Sequence, residues 1–231
     1  MDHAAFDDRV RRSLPSRLAG GLFFGGSFDP PHLGHARLPD AVFERLGYES
    51  EDLVYAPAAR SPHKSGAPTP PHHRVAMLRL VLPRGRNSWI WTEELDRAVS
   101  EPGEPSYWAK TWTKVIDSCT GDRPRFLIGA DQAVSMHRWF SYETIWRDAV
   151  VMLRDDQDDA GRLIGTMEQT EAWSADELEQ WRSMIVRVPM IDASSTRVRE
   201  ALRAPATREN PIAGLDDRVH SYILEHGLYT G

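Results

Sequence analysis

Two histidines, His32 and His35, lie three residues apart directly after a glycine-rich segment. Imidazole N–H groups donate hydrogen bonds to phosphate oxygens, and a protonated ring also opposes the phosphate charge. A helix cap and a metal pair are the alternative interpretations of two histidines at this spacing. The preceding Gly25-Gly26 and Asp29-Pro30 favour a turn before a helix, where unpaired N–H groups attract anions. We therefore predict a phosphate site at His32 and His35.

A second group of possible phosphate donors lies near the carboxyl end of the chain. Ser194, Ser195 and Thr196 come at the start of a predicted helix that contains Arg199. Hydroxyl groups at this position cap the helix and can present donors to an anion, while the guanidinium offers a planar fork to a phosphate. Alone, the pattern predicts only a helix cap. Together with the histidines, it predicts two facing groups of donors around one triphosphate.

These residues need a fold that brings them to one place. Apolar patterns predict strands at 22–24, 52–56, 88–92, 125–128, 149–153 and 184–188, and helices at 33–46, 71–82, 106–118, 142–147 and 217–228. This alternation predicts an α/β fold, a Rossmann-like doubly wound and mostly parallel sheet with helices on both faces. We expect residues 1–20 to be a lead-in and residues 21–231 to form a single domain, with a C-terminal helical part from about 194 to 231.

Further candidate ligand groups follow the predicted strands, at the sheet edge where α/β folds bind ligands. Lys64, in a proline-rich loop after the second strand, is a candidate for the phosphate of a second substrate. Asp131 follows the fourth strand, where its carboxylate can accept hydrogen bonds from ribose hydroxyls or cap the next helix. Trp139 offers a flat face to an aromatic ring, although indoles more often belong to the core.

Composition limits the class of protein. The chain has 231 residues and a net charge of -6, which argues against a general nucleic-acid binder. The single Cys119 excludes an intramolecular disulfide framework and a cysteine-rich metal site, and fits a reducing compartment. Residues 1–20 lack the apolar segment of a signal peptide, and no apolar run reaches the roughly 18 residues of a membrane span. We expect a cytoplasmic protein without membrane or nucleic-acid partners.

Two segments could be taken for metal sites. Residues 155–159 contain four carboxylates, but such a run is more typical of a solvated surface. His72 and His73 are adjacent, so their side chains point in different directions on a helix. We predict no metal held by protein ligands.

The segment from Gly25 to His35 resembles the G-G-[ST]-F-D-P-x-H-x-G-H signature of the HxGH nucleotidyltransferase superfamily, most closely in the bacterial nicotinate (nicotinamide) mononucleotide adenylyltransferases. Other segments resemble the same family: P-x-x-x-x-P-H-K at 57–64, E-L-x-R at 94–97, P-S-Y at 105–107, G-x-D-x7-W at 129–139, the serine-rich segment at 191–199, and Y-I-x-x-H-G-L-Y at 222–229. The matches therefore cover both ends and the middle of the chain.

The resemblance implies adenylyl transfer from ATP to the 5′-phosphate of a pyridine mononucleotide, with Mg²⁺ carried by ATP and a role in NAD biosynthesis. It implies catalytic roles for His32, His35 and Arg199. The implied ATP-binding residues are Gly25, Gly26, Ser27, Phe28, His35, Gly129, Asp131, Ser194, Ser195, Thr196 and Arg199. The implied mononucleotide-binding residues are Lys64, Tyr107, Trp108, Trp139 and Phe140.

Some alternatives stay open at this point. Trp108 stands where the family has a threonine near the pyridine ring, so the choice between nicotinate and nicotinamide is open, as is a homo-oligomeric state. Another transferase of the superfamily would use a pantetheine phosphate, flavin or glycerol phosphate acceptor. A nucleotide-binding regulator that has lost turnover is the alternative from a different class.

Overall fold

A parallel sheet forms the centre of the chain. The computed structural model describes residues 8–16, 18, 20–49, 51–60, 67–154, 159–203 and 211–230. The strands in these ranges are β1 (Val10–Arg11), β2 (Gly21–Gly26), β3 (Asp52–Pro57), β4 (Ser88–Trp91), β5 (Arg125–Gly129), β6 (Ala149–Arg154) and β7 (Ile185–Val188). Their order is β1-β4-β3-β2-β5-β6-β7, and all neighbours are parallel. The order reverses between β2 and β5, which creates the switch point where such sheets bind ligands.

Helices cover both faces of this sheet. The described helices are α1 (Leu33–Arg45), α2 (Pro71–Val81), α3 (Glu93–Ser100), α4 (Trp108–Ser118), α5 (Ala130–Ser135), α6 (Ala160–Glu168), α7 (Ala175–Ser183), α8 (Ser195–Leu202) and α9 (Asp217–Glu225). Buried side chains of α1, α2, α8 and α9 belong to one apolar cluster, and those of α4, α5, α6 and α7 belong to the other. The predicted doubly wound α/β fold is confirmed.

Residues of the central strands alternate between the two clusters. Leu22 and Phe24 of β2 belong to the cluster that contains α1, whereas Phe23 belongs to the cluster that contains α4. Side chains alternate in this way because successive residues of a strand point to opposite faces. A strand that is buried on both faces therefore requires apolar residues at consecutive positions, as the sequence shows.

Two helical predictions need correction. The sequence predicts Ser106 as the N-cap of α4, but the N-cap is Tyr107 and it makes no side-chain capping bond. The Ser106 hydroxyl instead accepts a hydrogen bond from the N–H of Arg60 at 3.4 Å and bonds to the Glu94 carboxyl. The predicted helix at 142–147 is a pair of 3-10 turns, Tyr142–Thr144 and Trp146–Asp148.

An edge strand and a tryptophan cluster have no counterpart in the predicted elements. Strand β1 pairs with β4 through Val10 and Ile90, outside the reach of a local sequence pattern. Within 159–183, helices α6 and α7 frame Trp173 and Trp181, whose ring centroids lie 5.2 Å and 5.3 Å from that of Trp146. These indoles are core residues, which gives this region a structural role.

Candidate functional site

The start of α1 holds the two predicted histidines in a reciprocal cap. His32 is the N-cap residue, and its Nδ1 accepts a hydrogen bond from the N–H of Gly34 at 3.1 Å. His35 returns the contact, since its Nδ1 accepts from the N–H of His32 at 3.2 Å. The helix-cap and phosphate interpretations of this pair are therefore compatible, because each ring uses only one edge to cap the helix.

Capping also assigns the protons of the two rings. A backbone N–H can only donate, so each Nδ1 must be the acceptor, and a neutral ring then carries its proton on Nε2. His32 is 9% exposed. Burial, and secondarily the charge of Arg154, lowers the pKa of His32 from 6.5 to about 4. Without a bound phosphate, His32 is therefore a neutral N–H donor at neutral pH.

The glycine-rich turn before α1 is held by packing and by a buried guanidinium. Phe28 adopts a left-handed φ of 48° and is buried, with its ring centroid 5.0 Å from that of His35. Such backbone conformations cost about 1–3 kcal/mol and persist where the surroundings impose them. Arg74 is fully buried and donates to the main-chain oxygens of Ser27 and Ala58 at 2.7 Å and 2.8 Å. The phenyl ring of Phe28 therefore belongs to the support of the turn.

The serine-rich segment at the start of α8 meets this turn directly. The Ser195 hydroxyl donates to the main-chain oxygen of Pro30 at 2.9 Å, and Arg199 Nη1 donates to that of Asp29 at 2.6 Å. Ser194 is the N-cap residue and accepts from the N–H of Arg197 at 3.2 Å. The structure thus brings together the two groups of donors that the sequence predicts as facing each other.

A cavity of about 330 Å³ opens beside the turn, at the carboxyl ends of β2, β3 and β5. The predicted site residues that line it are Gly25, Gly26, Ser27, His35, Tyr107, Trp108, Trp139 and Phe140. The predicted site residues outside its lining are Phe28, His32, Gly129, Asp131, Ser194, Ser195, Thr196 and Arg199. Lys64 lies outside the described residues. Most of the predicted mononucleotide residues therefore share one cavity wall, and the second donor group lies beyond it.

Aromatic rings form most of one side of this cavity. Tyr107 and Phe140 face each other with centroids 4.8 Å apart, and Phe140 is 53% exposed. The Trp108 ring lies against Gly25, where an added Cβ would be 3.0 Å from Cζ3. The indole N–H groups of Trp108 and Trp139 are buried and have no hydrogen-bond partner among the described residues. The two N–H groups are shielded from the cavity as well as from solvent, so the Trp108 and Trp139 rings offer a ligand mainly apolar surface.

Asp131, the residue predicted to bind a ribose, lies just after the end of β5. Asp131 lies in the first turn of α5, so Gly129 and not Asp131 is the N-cap residue. The Asp131 carboxylate folds back over Gly129, because an added Cβ there would be 2.8 Å from Oδ1. Gln132 anchors the same corner by accepting from the N–H of Gly129 at 3.1 Å. Because Gly129 has no side chain and the Asp131 carboxylate is exposed, the hydroxyl groups of a ribose have room to approach this carboxylate.

Several cavity residues were not predicted from the sequence. They are Phe24, Ala56, Ala58, Glu94, Ser106, Phe126, Leu127, Ile128, Gln132 and Arg138. Glu94 is 4% exposed, and burial raises the pKa of its carboxyl. Its carboxylate accepts from the Thr111 hydroxyl at 2.8 Å. The sequence signal for Glu94 is the E-L-x-R segment at 94–97, in which a carboxylate precedes an apolar residue.

The segment that contains this site resembles known proteins. The cytidylyltransferase-like family model matches residues 23–201, a range that includes both donor groups. The chain belongs to the cytidylyltransferase-like family. Among members with curated names, it is 32% identical to a probable nicotinate-nucleotide adenylyltransferase of Symbiobacterium thermophilum, over 92% of this chain and 96% of that protein. A protein of the same name from Stenotrophomonas maltophilia is 29% identical, over 90% and 96%.

A solved structure of similar fold supports the architecture of this cytidylyltransferase-like chain. It is described as the Plasmodium falciparum nicotinic acid mononucleotide adenylyltransferase complexed with NaAD. The TM-score is 0.60 at 16% identity, covering 92% of this chain and 97% of that one. At this identity the likeness concerns the fold. The nucleotidyltransferase resemblance predicted from the motifs is confirmed by the family match and the curated relatives.

Membrane-spanning helices and metal-ligand clusters can be assessed for the described residues. None of the helices in these ranges has the length and apolar character needed to cross a bilayer. In the same part of the chain, His, Cys, Asp and Glu residues do not come together in threes at metal-binding geometry.

Proposed function

We propose that this protein transfers the adenylyl group of ATP to the 5′-phosphate of nicotinate mononucleotide, forming a dinucleotide and pyrophosphate in NAD biosynthesis. The observation that carries the proposal is the junction of α8 with the glycine-rich turn. It brings Arg199 to the segment that leads into His32 and His35, beside an aromatic-walled cavity. The names of the curated relatives support the same activity.

The reaction joins one phosphate to another. An oxygen of the mononucleotide phosphate attacks the α-phosphorus of ATP, and the bond from that phosphorus to the oxygen bridging to the β-phosphate breaks. A phosphate monoester has a second pKa of about 6, so the nucleophile is already largely anionic at neutral pH. A strong general base is therefore unnecessary. The neutral state of His32 fits this chemistry, since its ring does not need to accept a proton.

Catalysis then consists of alignment and charge stabilisation. Aligning two bound substrates can contribute on the order of 7–11 kcal/mol. In our proposal, the Nε2–H groups of His32 and His35 hold oxygens of the α-phosphate and the bridge as charge develops there. Arg199, with Ser194, Ser195 and Thr196 around it, stabilises the leaving pyrophosphate. The guanidinium already orders the turn through Asp29, so the positive charge is held in place before ATP arrives.

The aromatic side of the cavity is proposed to take the pyridine mononucleotide. Trp139 and Tyr107 supply flat faces for the ring, and Phe140 closes the mouth. Nicotinate is proposed as the pyridine because the curated relatives are named as probable nicotinate-nucleotide adenylyltransferases. Lys64 remains a predicted ligand of the mononucleotide phosphate, and Gly129 and Asp131 remain predicted ligands of ATP.

ATP is proposed to enter as its Mg²⁺ complex. Magnesium commonly keeps several waters and is bound through substrate phosphates with few protein ligands. In our proposal, His35 and the glycine-rich turn, which line the cavity, contact the phosphates of that complex. We further propose the cytoplasm as the compartment, because the single Cys119 fits a reducing environment.

A direct test measures pyrophosphate release from MgATP with a panel of acceptors. Nicotinate mononucleotide should give the highest kcat/KM, followed by nicotinamide mononucleotide. Phosphopantetheine, flavin mononucleotide and glycerol 3-phosphate should give background rates. Turnover with one of these other acceptors alone would assign a different transferase of the superfamily, and binding of ATP without turnover would support a regulatory protein.

A further inference from the structure

Asp29 is the point at which four segments of the chain meet. Its main-chain oxygen accepts from Arg199 Nη1 of α8 at 2.6 Å. Its Oδ2 accepts from the N–H of Thr69, just before α2, at 3.2 Å. Its Oδ1 accepts from the hydroxyl of Tyr229, which follows α9, at 2.6 Å. One residue of the glycine-rich turn therefore connects elements that lie 40, 170 and 200 positions away in the chain.

The chain turns after α9 so that the Tyr229 hydroxyl reaches Asp29. The helix ends at Glu225, Gly227 adopts a φ of 58°, and Tyr229 itself adopts a φ of 63°. A left-handed conformation is unfavourable for a tyrosine, so surrounding interactions must hold it there. Burial and the bond to Asp29 raise the pKa of the Tyr229 phenol, which keeps it protonated as a donor.

The neighbouring buried cation fits a charged Asp29. Arg74 donates through Nε to the main-chain oxygen of Thr69 at 2.9 Å, and through Nη1 to that of Ser27 at 2.7 Å. Burial lowers the pKa of Arg74, and the charge of Asp29 acts in the opposite direction. The buried guanidinium and the Asp29 carboxylate therefore lie close enough to interact, and a carboxylate is a strong acceptor for the Tyr229 hydroxyl.

From this junction, we infer that Tyr229 is a positioning residue for ATP. It acts by fixing Asp29, and Asp29 in turn keeps the glycine-rich turn, Arg199 and the Thr69 end of the preceding loop in one arrangement. The inference rests on the proposed function, since it names what holds that site together. Tyr229 belongs to the closing Y-I-x-x-H-G-L-Y segment, to which the proposed chemistry gives no task.

Tyr229→Phe and Tyr222→Phe form a matched pair for testing this role. Tyr222 lies on α9, and its hydroxyl contacts His73 Nδ1 at 3.0 Å rather than Asp29. Each variant therefore loses one phenolic hydroxyl that belongs to a hydrogen bond. A hydrogen bond to a charged group is worth enough that Tyr229→Phe should lower kcat/KM for ATP by about tenfold or more. Tyr222→Phe should stay within about twofold of wild type.

The pattern of constants separates positioning from general destabilisation. In Tyr229→Phe, the KM for ATP should rise more than the KM for the mononucleotide, because Tyr107 and Trp139 lie on other elements. A purely structural role would lower the melting temperature and the amount of active enzyme in both variants, without moving the KM for ATP. Equal constants for the two variants would overturn the inference.

A double variant tests whether Tyr229 acts through Asp29. In Asp29→Asn, the amide side chain can still accept a hydrogen bond from the N–H of Thr69, but it offers Tyr229 no negative charge. If the two residues act as a unit, adding Tyr229→Phe to Asp29→Asn should change kcat/KM for ATP by less than about twofold. Full additivity of the two losses would contradict the proposed connection.

Two readouts do not depend on turnover. Tyr229→Phe should speed amide hydrogen exchange in peptides covering residues 27–35 and 67–70, and should weaken binding of α,β-methylene-ATP, whereas Tyr222→Phe should do neither. If the wild-type protein made no dinucleotide, the proposed function would fail, and these readouts would still decide the role of Tyr229. Unchanged exchange and affinity in Tyr229→Phe would refute it.

Discussion

The rings of His32 and His35 stack with their centroids 3.7 Å apart and their planes at 26°. Both rings cap α1 through Nδ1, so the stacking fixes the orientation of the two Nε2 edges relative to each other. In the proposed reaction, these edges would contact phosphate oxygens by directed hydrogen bonds.

The depressed pKa of His32 predicts a dependence of stability on pH. The folded pKa is about 4 and the ordinary value is 6.5, so the neutral ring contributes its full stability above pH 6.5. That contribution is lost as the pH falls through 4. The free energy of unfolding, measured with urea, should therefore fall between pH 7 and pH 4. His32→Asn keeps a capping acceptor and should show a smaller decrease; an identical decrease would show that His32 is not responsible.

Loss of the His35 donor should mainly affect kcat. Removing one preorganised donor costs about a hundredfold or more in kcat, which is our expectation for His35→Ala. His35→Gln restores an N–H near the position of Nε2 and should recover part of the rate. His73→Ala is the control, since this histidine lies on α2 and contacts Tyr222. Near-normal turnover of His35→Ala would remove His35 from the reaction.

The contact between Trp108 and Gly25 should control the mononucleotide site. Gly25→Ala would place a Cβ 3.0 Å from the Trp108 ring, so the indole must shift and the KM for the mononucleotide should rise. In a Trp108→Thr background, the same change should have little further effect. Steady-state constants for the four proteins test this coupling. A rise in the KM for ATP alone would place this contact at the other substrate.

The planar guanidinium geometry of Arg199, in addition to its charge, should contribute to kcat/KM for ATP. Arg199→Lys keeps the charge but cannot bond in the same geometry to Asp29 and phosphate, so we expect kcat/KM for ATP to fall by about tenfold or more. Arg197 is the matched control on α8, because it is exposed and pairs with Asp192. Arg197→Lys should remain close to wild type. Equal losses in the two variants would show that the guanidinium geometry at position 199 has no special role.

The sequence predicted those features that depend on local patterns. The run Leu53-Val54-Tyr55 predicted a buried strand because every position is apolar, and β3 covers it. The two donor segments were predicted because serine and glycine favour turns and helix starts, and because two histidines follow the glycine-rich segment. The resemblance to the family then predicted which segments bind ATP and which bind the mononucleotide. The facing arrangement followed from the parallel sheet, whose strands end at a common edge.

The remaining features depend on contacts between distant segments. The charge state of His32 depends on its burial and on Arg154, which no pattern around position 32 records. Glu94 lines the cavity, and its carboxylate accepts from Thr111 of α4, 17 positions later in the chain. The role of Asp29 depends on Tyr229, 200 positions later in the chain. Such relationships arise from tertiary packing, and a local reading of the sequence lacks the information to specify them.

The distance between Asp29 and Arg199 along the chain also affects when a cell can first use the site. Arg199 is made 170 residues after Asp29, which corresponds to roughly 10–30 s of translation at typical bacterial and eukaryotic rates. During that interval a nascent chain carries the histidines without their cationic counterpart. We therefore expect unfinished chains on the ribosome to retain little affinity for ATP, so that interrupted synthesis does not sequester nucleotide.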